Sequence, residues 1–290
     1  MHLGVNFPAD HSMDDPSAIR DYAQAVEGLG FGYLTVVDHV LGADISGRPD
    51  WNAPYAYTHK SIVREAIVLL GFMAACTRTI VLGTAVIILP QRPTALVAKQ
   101  LAELDVLSGG RALLGVGVGW NDVEFQALNE DFHNRGRRIE EQINVLRELW
   151  TNEVVDFEGQ WHRIDRAGIN PLPIQRPIPI WMGSGDGETP MRRVAQLADG
   201  WLPPALSAQA AEPVLERFRT YIDEAGRAAS DIALAPRIRL NTGTPDDWAA
   251  SYAAWEKLGA THFAINTNRP DATHVDEHIE QMRRFLEVIR

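Results

Sequence analysis

The chain has 290 residues, 46% hydrophobic and 22% charged, which excludes disordered and fibrous classes and suits either one large α/β barrel or two small domains. Its 27 Lys and Arg stand against 38 Asp and Glu, a net charge of -11 with no basic run, which disfavours nucleic acid and acidic membrane surfaces as partners. The single cysteine, Cys76, excludes an internal disulfide framework and a cysteine metal cluster and fits a reducing compartment.

The opening MHLGVNFPADHSMDD has no basic region and no apolar stretch of signal length, and no window reaches the roughly 18 apolar residues of a bilayer span, so a cytoplasmic protein is expected. A branched apolar run over 2–7 precedes a helical pattern over 16–29, and a second run covers 33–37. An irregular stretch rich in Gly, Pro and aromatics, 42–60, leads to a helix over 61–76 and a third run over 79–89. Pro93 starts a helix to Leu107; the fourth run spans 111–118, with helices over 121–128 and 135–151. Residues 153–164 read as an inserted hairpin with Gly159 at its tip. The fifth run, 178–183, is followed by a helix over 188–198, and the sixth, 199–202, by a helix over 208–226. A seventh run over 232–239, a helix from Pro245, an eighth run over 262–266 and a closing helix complete the pattern.

Eight βα units without a composition break predict a single α/β domain over 1–290, a (β/α)8 TIM barrel with insertions. A doubly wound sheet is the alternative. In a barrel the carboxyl ends of the runs gather at one face, where the chemistry is done.

Three motifs fall at such ends. GVGVG carries glycines at 115, 117 and 119, not the G-x-G-x-x-G of a dinucleotide fold. Alternate glycines clear one strand face, for a neighbouring backbone or for a flat ring. WMGSGDGETP, 181–190, precedes a helix, and its amides with Ser184 suit an anion. Met182 stands where a nucleophile elbow needs glycine, so Ser184 is not read as a hydrolase nucleophile. Asp38 and His39 end the second run: His39 suits proton exchange near neutral pH, and Asp38 suits holding a polar group, unless the pair is only a cap and a surface residue. Trp51, Tyr55 and Tyr57 with Trp120 are candidates for a substrate wall or for packing. His59, His133 and His162 show no metal spacing, and no metal is assigned.

Together, VVDHV, VLGTAVIILPQRPTALVAKQLAELDVLSGGRALLGVGVGWNDVEFQAL and PIPIWMGSGDGETPMRRVAQLADGW resemble the luciferase-like flavin and deazaflavin oxidoreductase superfamily, most of all its coenzyme F420 branch, over residues 1–205. The resemblance implies a modified barrel, a homodimer, and a tricyclic ring beside Gly117, Val118 and Gly119. It also implies a non-prolyl cis peptide at Ala85 and Val86, phosphate contacts on Gly183, Ser184 and Gly185, and the Asp38–His39 pair against the ring. Val118 and Trp120 stand where characterised members have Thr and Glu, so that acid role is not carried over; Asn121 and Glu124 are the candidates to replace it. The implied reaction passes a hydride between the cofactor C5 and a small organic substrate, His39 handling a proton and Asp38 orienting a polar group. The alternatives are an FMN-dependent monooxygenase and a cofactor-binding protein without turnover. Arg64, Arg192 and Arg193 are candidates for the anionic cofactor tail.

Overall fold

The computed structural model describes residues 1–48, 51, 57–269 and 271–290. Strand β1 (His2–Asn6), helix α1 (Pro16–Gly28) and β2 (Tyr33–Val36) open the chain. The Asp15 side chain caps α1 by accepting from the Ser17 N–H, and Pro16 takes the first helical position, where its missing N–H costs least. Next come α2 (Ala66–Cys76), β3 (Val81–Thr84), β4 (Ile87–Ile88), α3 (Thr94–Ser108) and β5 (Ala112–Gly117). Helix α2 starts later than the expected 61, because Glu65 is extended and caps it through the Val68 N–H at 2.7 Å. The third run is two strands, separated by a cis peptide at Ala85–Val86.

Helices α4 (Asp122–Ala127) and α5 (Arg135–Thr151) precede the hairpin β6 (Val155–Glu158) and β7 (Arg163–Ala167), which pairs antiparallel apart from the main sheet. Then follow β8 (Ile180–Gly183), α6 (Glu188–Leu197), β9 (Gly200–Leu202), α7 (Ala208–Glu224), β10 (Ala233–Leu234), β11 (Arg237–Arg239), α8 (Pro245–Lys257), β12 (His262–Asn266) and α9 (Val275–Ile289). The seventh run is also broken, at Ala235–Pro236, where proline has no N–H to give to a ladder.

The main sheet is parallel throughout, in the order β10-β9-β8-β5-β3-β2-β1-β12-β11, with β4 on β5. Its outermost strands, β10 and β11, are consecutive in the chain, so the sheet is curled. Alternation along each strand sends side chains to two faces. Val5, Leu34, Val36, Ile180 and Ile265 join the main core under the helices. Tyr33, Leu113, Trp181, Ala235 and Ala264 form a separate small cluster on the inner face. Among the described residues no helix is long and apolar enough to cross a membrane.

Candidate active site

The end of β2 delivers Asp38 and His39 to the same place by different anchors. Asp38 is buried and accepts from Arg92 Nη2 at 2.7 Å, from Arg92 Nε at 3.3 Å and from the Ile88 N–H at 3.0 Å. Arg92 also reaches Glu65 at 3.0 Å. Burial pulls the Arg92 guanidinium down, but Asp38 and Glu65 more than offset this and hold it above its ordinary value. The Asp38 carboxylate thus ties the segment after β4 to β2, and both of its oxygens are engaged within the chain.

His39 Nδ1 lies 3.1 Å from Oε2 of Glu124, and Gln91 Nε2 donates to the same oxygen at 3.1 Å. The other oxygen accepts the N–H groups of Val40 at 2.5 Å and Leu41 at 3.2 Å. Burial pushes the Glu124 carboxyl up, yet the hydrogen bond and charge of His39, with Gln91 and Leu41, outweigh it and keep the group below the usual carboxylate range. An ionised carboxylate only accepts, so the proton on His39 sits on Nδ1 and Nε2 is the nitrogen left to exchange one. Asn121, the other candidate for the missing acid, is instead the cap of α4: its Oδ1 accepts from the Glu124 N–H at 3.4 Å.

Aromatic rings enclose His39. Tyr57 lies 4.7 Å from it and Trp120 5.5 Å, centroid to centroid, and Trp51 lies 5.9 Å from Trp120. Trp51 Nε1 donates to Asp122 at 2.8 Å. Three of the four wall residues read from the sequence therefore come together; Tyr55 lies outside the described residues.

The glycines of β5 have a packing partner in the chain itself. A Cβ on Gly115 would sit 1.9 Å from the carbonyl oxygen of Thr84. On Gly117 it would meet Val86 Cγ2 at 2.5 Å, and on Gly183 Val86 Cγ1 at 2.9 Å. Val86 thus fills the space that a Cβ on either of those two glycines would take. Gly119 has φ +73°, and Val118 packs partly buried on the core. Ser184 Oγ accepts from Trp201 Nε1 at 2.9 Å and donates to the Gly185 carbonyl at 3.1 Å, so its hydroxyl is occupied. The amides of Gly185, Asp186 and Gly187, by contrast, make no hydrogen bond among the described residues.

The arginines considered for an anionic tail all have internal partners. Arg64 donates to the Met13 carbonyl, Arg192 pairs with Glu188 and Glu224, and Arg193 pairs with Glu140. No group of three or more His, Cys, Asp or Glu side chains suits a metal among the described residues.

The luciferase-like monooxygenase family model matches residues 1–286. The chain belongs to the luciferase-like monooxygenase family. It is 30% identical over 230 residues to an uncharacterized protein of Mycobacterium tuberculosis, covering 78% of each chain. It is 26% identical to an F420-dependent glucose-6-phosphate dehydrogenase of Nakamurella multipartita, covering 99% of this chain and 88% of that one. Among solved structures, an F420-dependent secondary alcohol dehydrogenase in complex with an F420-acetone adduct superposes with TM-score 0.80 at 17% identity, over 100% of this chain and 99% of that one. That likeness shows the shared α/β fold with its curled parallel sheet.

Proposed function

We propose that the chain is an oxidoreductase that uses coenzyme F420 and acts on a small organic substrate at the mouth of a closed (β/α)8 barrel. The observation that carries the reading is His39 held through Nδ1 by buried Glu124, 3.1 Å away, inside an aromatic wall. The F420-dependent relatives support the cofactor. Closure of the barrel is supported by two hydrogen bonds across the broken strand: Ala235 N–H to the Trp201 carbonyl at 3.0 Å and Ala264 N–H to the Pro236 carbonyl at 2.9 Å.

The residues present fit the cofactor. The three amides at 185–187, before α6, are donors for its phosphate, next to Gly183 and Ser184. Bound F420 supplies hydride exchange at C5. His39 Nε2 then gives or takes the proton that accompanies it, Glu124 keeps the imidazole in one tautomer, and Trp51, Tyr57 and Trp120 exclude water. A homodimer is supported by the apolar surface of α2 and α3, where Val68 is 73% and Phe72 40% exposed beside Leu96 and Leu107.

Side-by-side titration of the chain with F420 and FMN, oxidised and reduced, tests the reading. Tight F420 and weak FMN binding is the expected result; preference for reduced FMN would move the reaction to oxygen chemistry. His39→Ala is expected to lower turnover by about 10² to 10⁴ while leaving cofactor affinity in place. Tight binding with no substrate-dependent oxidation in any screen would leave a cofactor carrier.

A further inference from the structure

The inner faces of β11, β12, β1 and β2 carry a polar row at their carboxyl ends. Register aligns Arg239 with Asn266, Asn266 with Asn6, and Asn6 with Thr35. Their direction follows from strand alternation. Ile238, Ile265, Val5 and Leu34 pack into the core under the helices, so their neighbours face inward. Ala264 and Tyr33, two residues before Asn266 and Thr35, belong to the inner cluster.

The row is rich in side-chain donors, and Asn6 Oδ1 is a buried acceptor in it without a partner among the described residues. Asn6 donates to Thr35 Oγ1 at 2.7 Å. Asn266 spends its carbonyl on the Asn268 N–H at 2.7 Å, which leaves its amide hydrogens to face the mouth. Arg239 is exposed, and among the described residues its guanidinium has no hydrogen-bond or ion-pair partner. Among the described residues, three carboxylates at the carboxyl ends of the strands have partners of their own: Asp38 pairs with Arg92, Glu124 with His39, and Asp10 with Ser12 and His278. Tyr57 reports the same field. Burial raises its hydroxyl, while Arg237 and Arg239 draw it back, so both cations act on the ring that packs against His39. In a chain of net charge -11, a guanidinium on an inner wall without a carboxylate partner among the described residues is a place for an anion.

We infer that Arg239 and Asn266 form an anion subsite for the substrate, which is a small carboxylate or phosphate ester held by its charged group at the end of β11 with its reacting carbon toward His39. Strand β11 is four steps from β3 along the sheet, and β10, its continuation, is four steps from β3 by the other path. A ring resting near Ala85–Val86 and an anion on Arg239 therefore bracket the substrate from opposite walls. The reaction the substrate undergoes rests on the oxidoreductase reading; the anion subsite does not.

Calorimetric titration of the full chain with inorganic phosphate and with acetate, with and without saturating F420, tests this. Saturable binding is expected, weakened about tenfold or more in Arg239→Met, largely kept in Arg239→Lys, with one F420 affinity across all three chains. Phosphate bound in preference to acetate upholds the subsite and assigns phosphate esters; the reverse upholds it and assigns carboxylates. No saturable anion binding, or equal binding in Arg239→Met, overturns the inference. A loss of F420 affinity in Arg239→Met also overturns it, because the guanidinium then serves the acidic part of the cofactor. Arg239-dependent phosphate binding in a chain that binds no F420 upholds the subsite and removes the oxidoreductase reading.

Discussion

His39 Nδ1 lies 3.1 Å from the carboxylate of Glu124, a residue of α4 with no exposed surface. That contact selects the imidazole tautomer, and the same carboxylate holds the Val40 and Leu41 N–H groups. Glu124→Gln keeps the shape but offers an amide that donates as well as accepts, so Nδ1 no longer has one fixed role. Turnover is expected to fall by about 10- to 100-fold, the range for losing a group that orients another, with F420 affinity little changed. Steady-state kinetics beside a cofactor titration separates the two; equal turnover in the variant would remove Glu124 from the mechanism.

The same carboxylate sets a pH dependence. Its folded pKa is below its ordinary 4.5, so its contribution to stability is fully present above 4.5 and is lost as pH falls through the lower folded value. Melting temperatures recorded from pH 6 downward are therefore expected to drop less steeply in Glu124→Gln than in the native chain. Parallel curves would show that protonation of Glu124 carries no stability.

Asp38 and Arg92 form the second anchor, and Asp38 is 2% exposed. Removing one partner of a buried pair leaves the other charge without compensation, at about 3 to 5 kcal/mol. Arg92 keeps Glu65 at 3.0 Å, which lessens the loss. Asp38→Ala is thus expected to destabilise by about 2 to 3 kcal/mol, and Asp38→Ala with Arg92→Met by less than the sum of the single changes. Urea unfolding of the four chains measures the coupling; additive losses would mean that the contact is energetically idle.

Much of this architecture was legible in the sequence because it depends on local chemistry. Branched runs such as HFAIN and caps such as Asp15–Pro16 act over a few residues, and their elements lie where the pattern placed them. The break at Ala235–Pro236 was hidden because branched or apolar residues stand on both sides of it, Leu234 before and Ile238 after, although Pro236 itself carried the signal. Asp38 and His39 were visible at a strand end and Glu124 was a candidate acid, but the pairing of Glu124 with His39, 85 positions away, was not legible, because only folding brings α4 to β2. Arg239 was missed for a related reason. Its inward direction appears only once Ile238 is seen in the outer core and Asn266 is seen in register.

The glycines of β5 left two readings open, close packing or a ring, and Val86 separates them experimentally. Gly117→Ala places a Cβ 2.5 Å from Val86 Cγ2, an overlap expected to cost about 1 to 3 kcal/mol. Val86→Ala removes that methyl, so the double variant is expected to recover part of the loss. Gly115→Ala meets the Thr84 backbone oxygen instead, at 1.9 Å, and no side-chain change relieves it. Thermal unfolding of the three single variants and the double variant checks this, and a double variant no better than the sum would place the constraint at Gly117 elsewhere.

At the amino end of the sheet, His262 packs between Trp181, His2 and Tyr33, with centroids 4.7, 4.9 and 5.6 Å away. Burial pulls its pKa down to about 4, helped by the positive charge of His2 and of the chain's amino terminus. The unfolded chain, with an ordinary value of 6.5, binds the proton first as pH falls. Stability is therefore full above pH 6.5 and drains between 6.5 and about 4, by on the order of 2 to 3 kcal/mol. His262→Phe keeps a ring against Trp181 and cannot take a proton, so its stability is expected to stay level over that interval apart from other groups. The measurement is the denaturation free energy of both chains at pH 7 and pH 4.5. A smaller loss in the variant assigns the acid sensitivity to this inner cluster, whereas an equal loss assigns it to other groups.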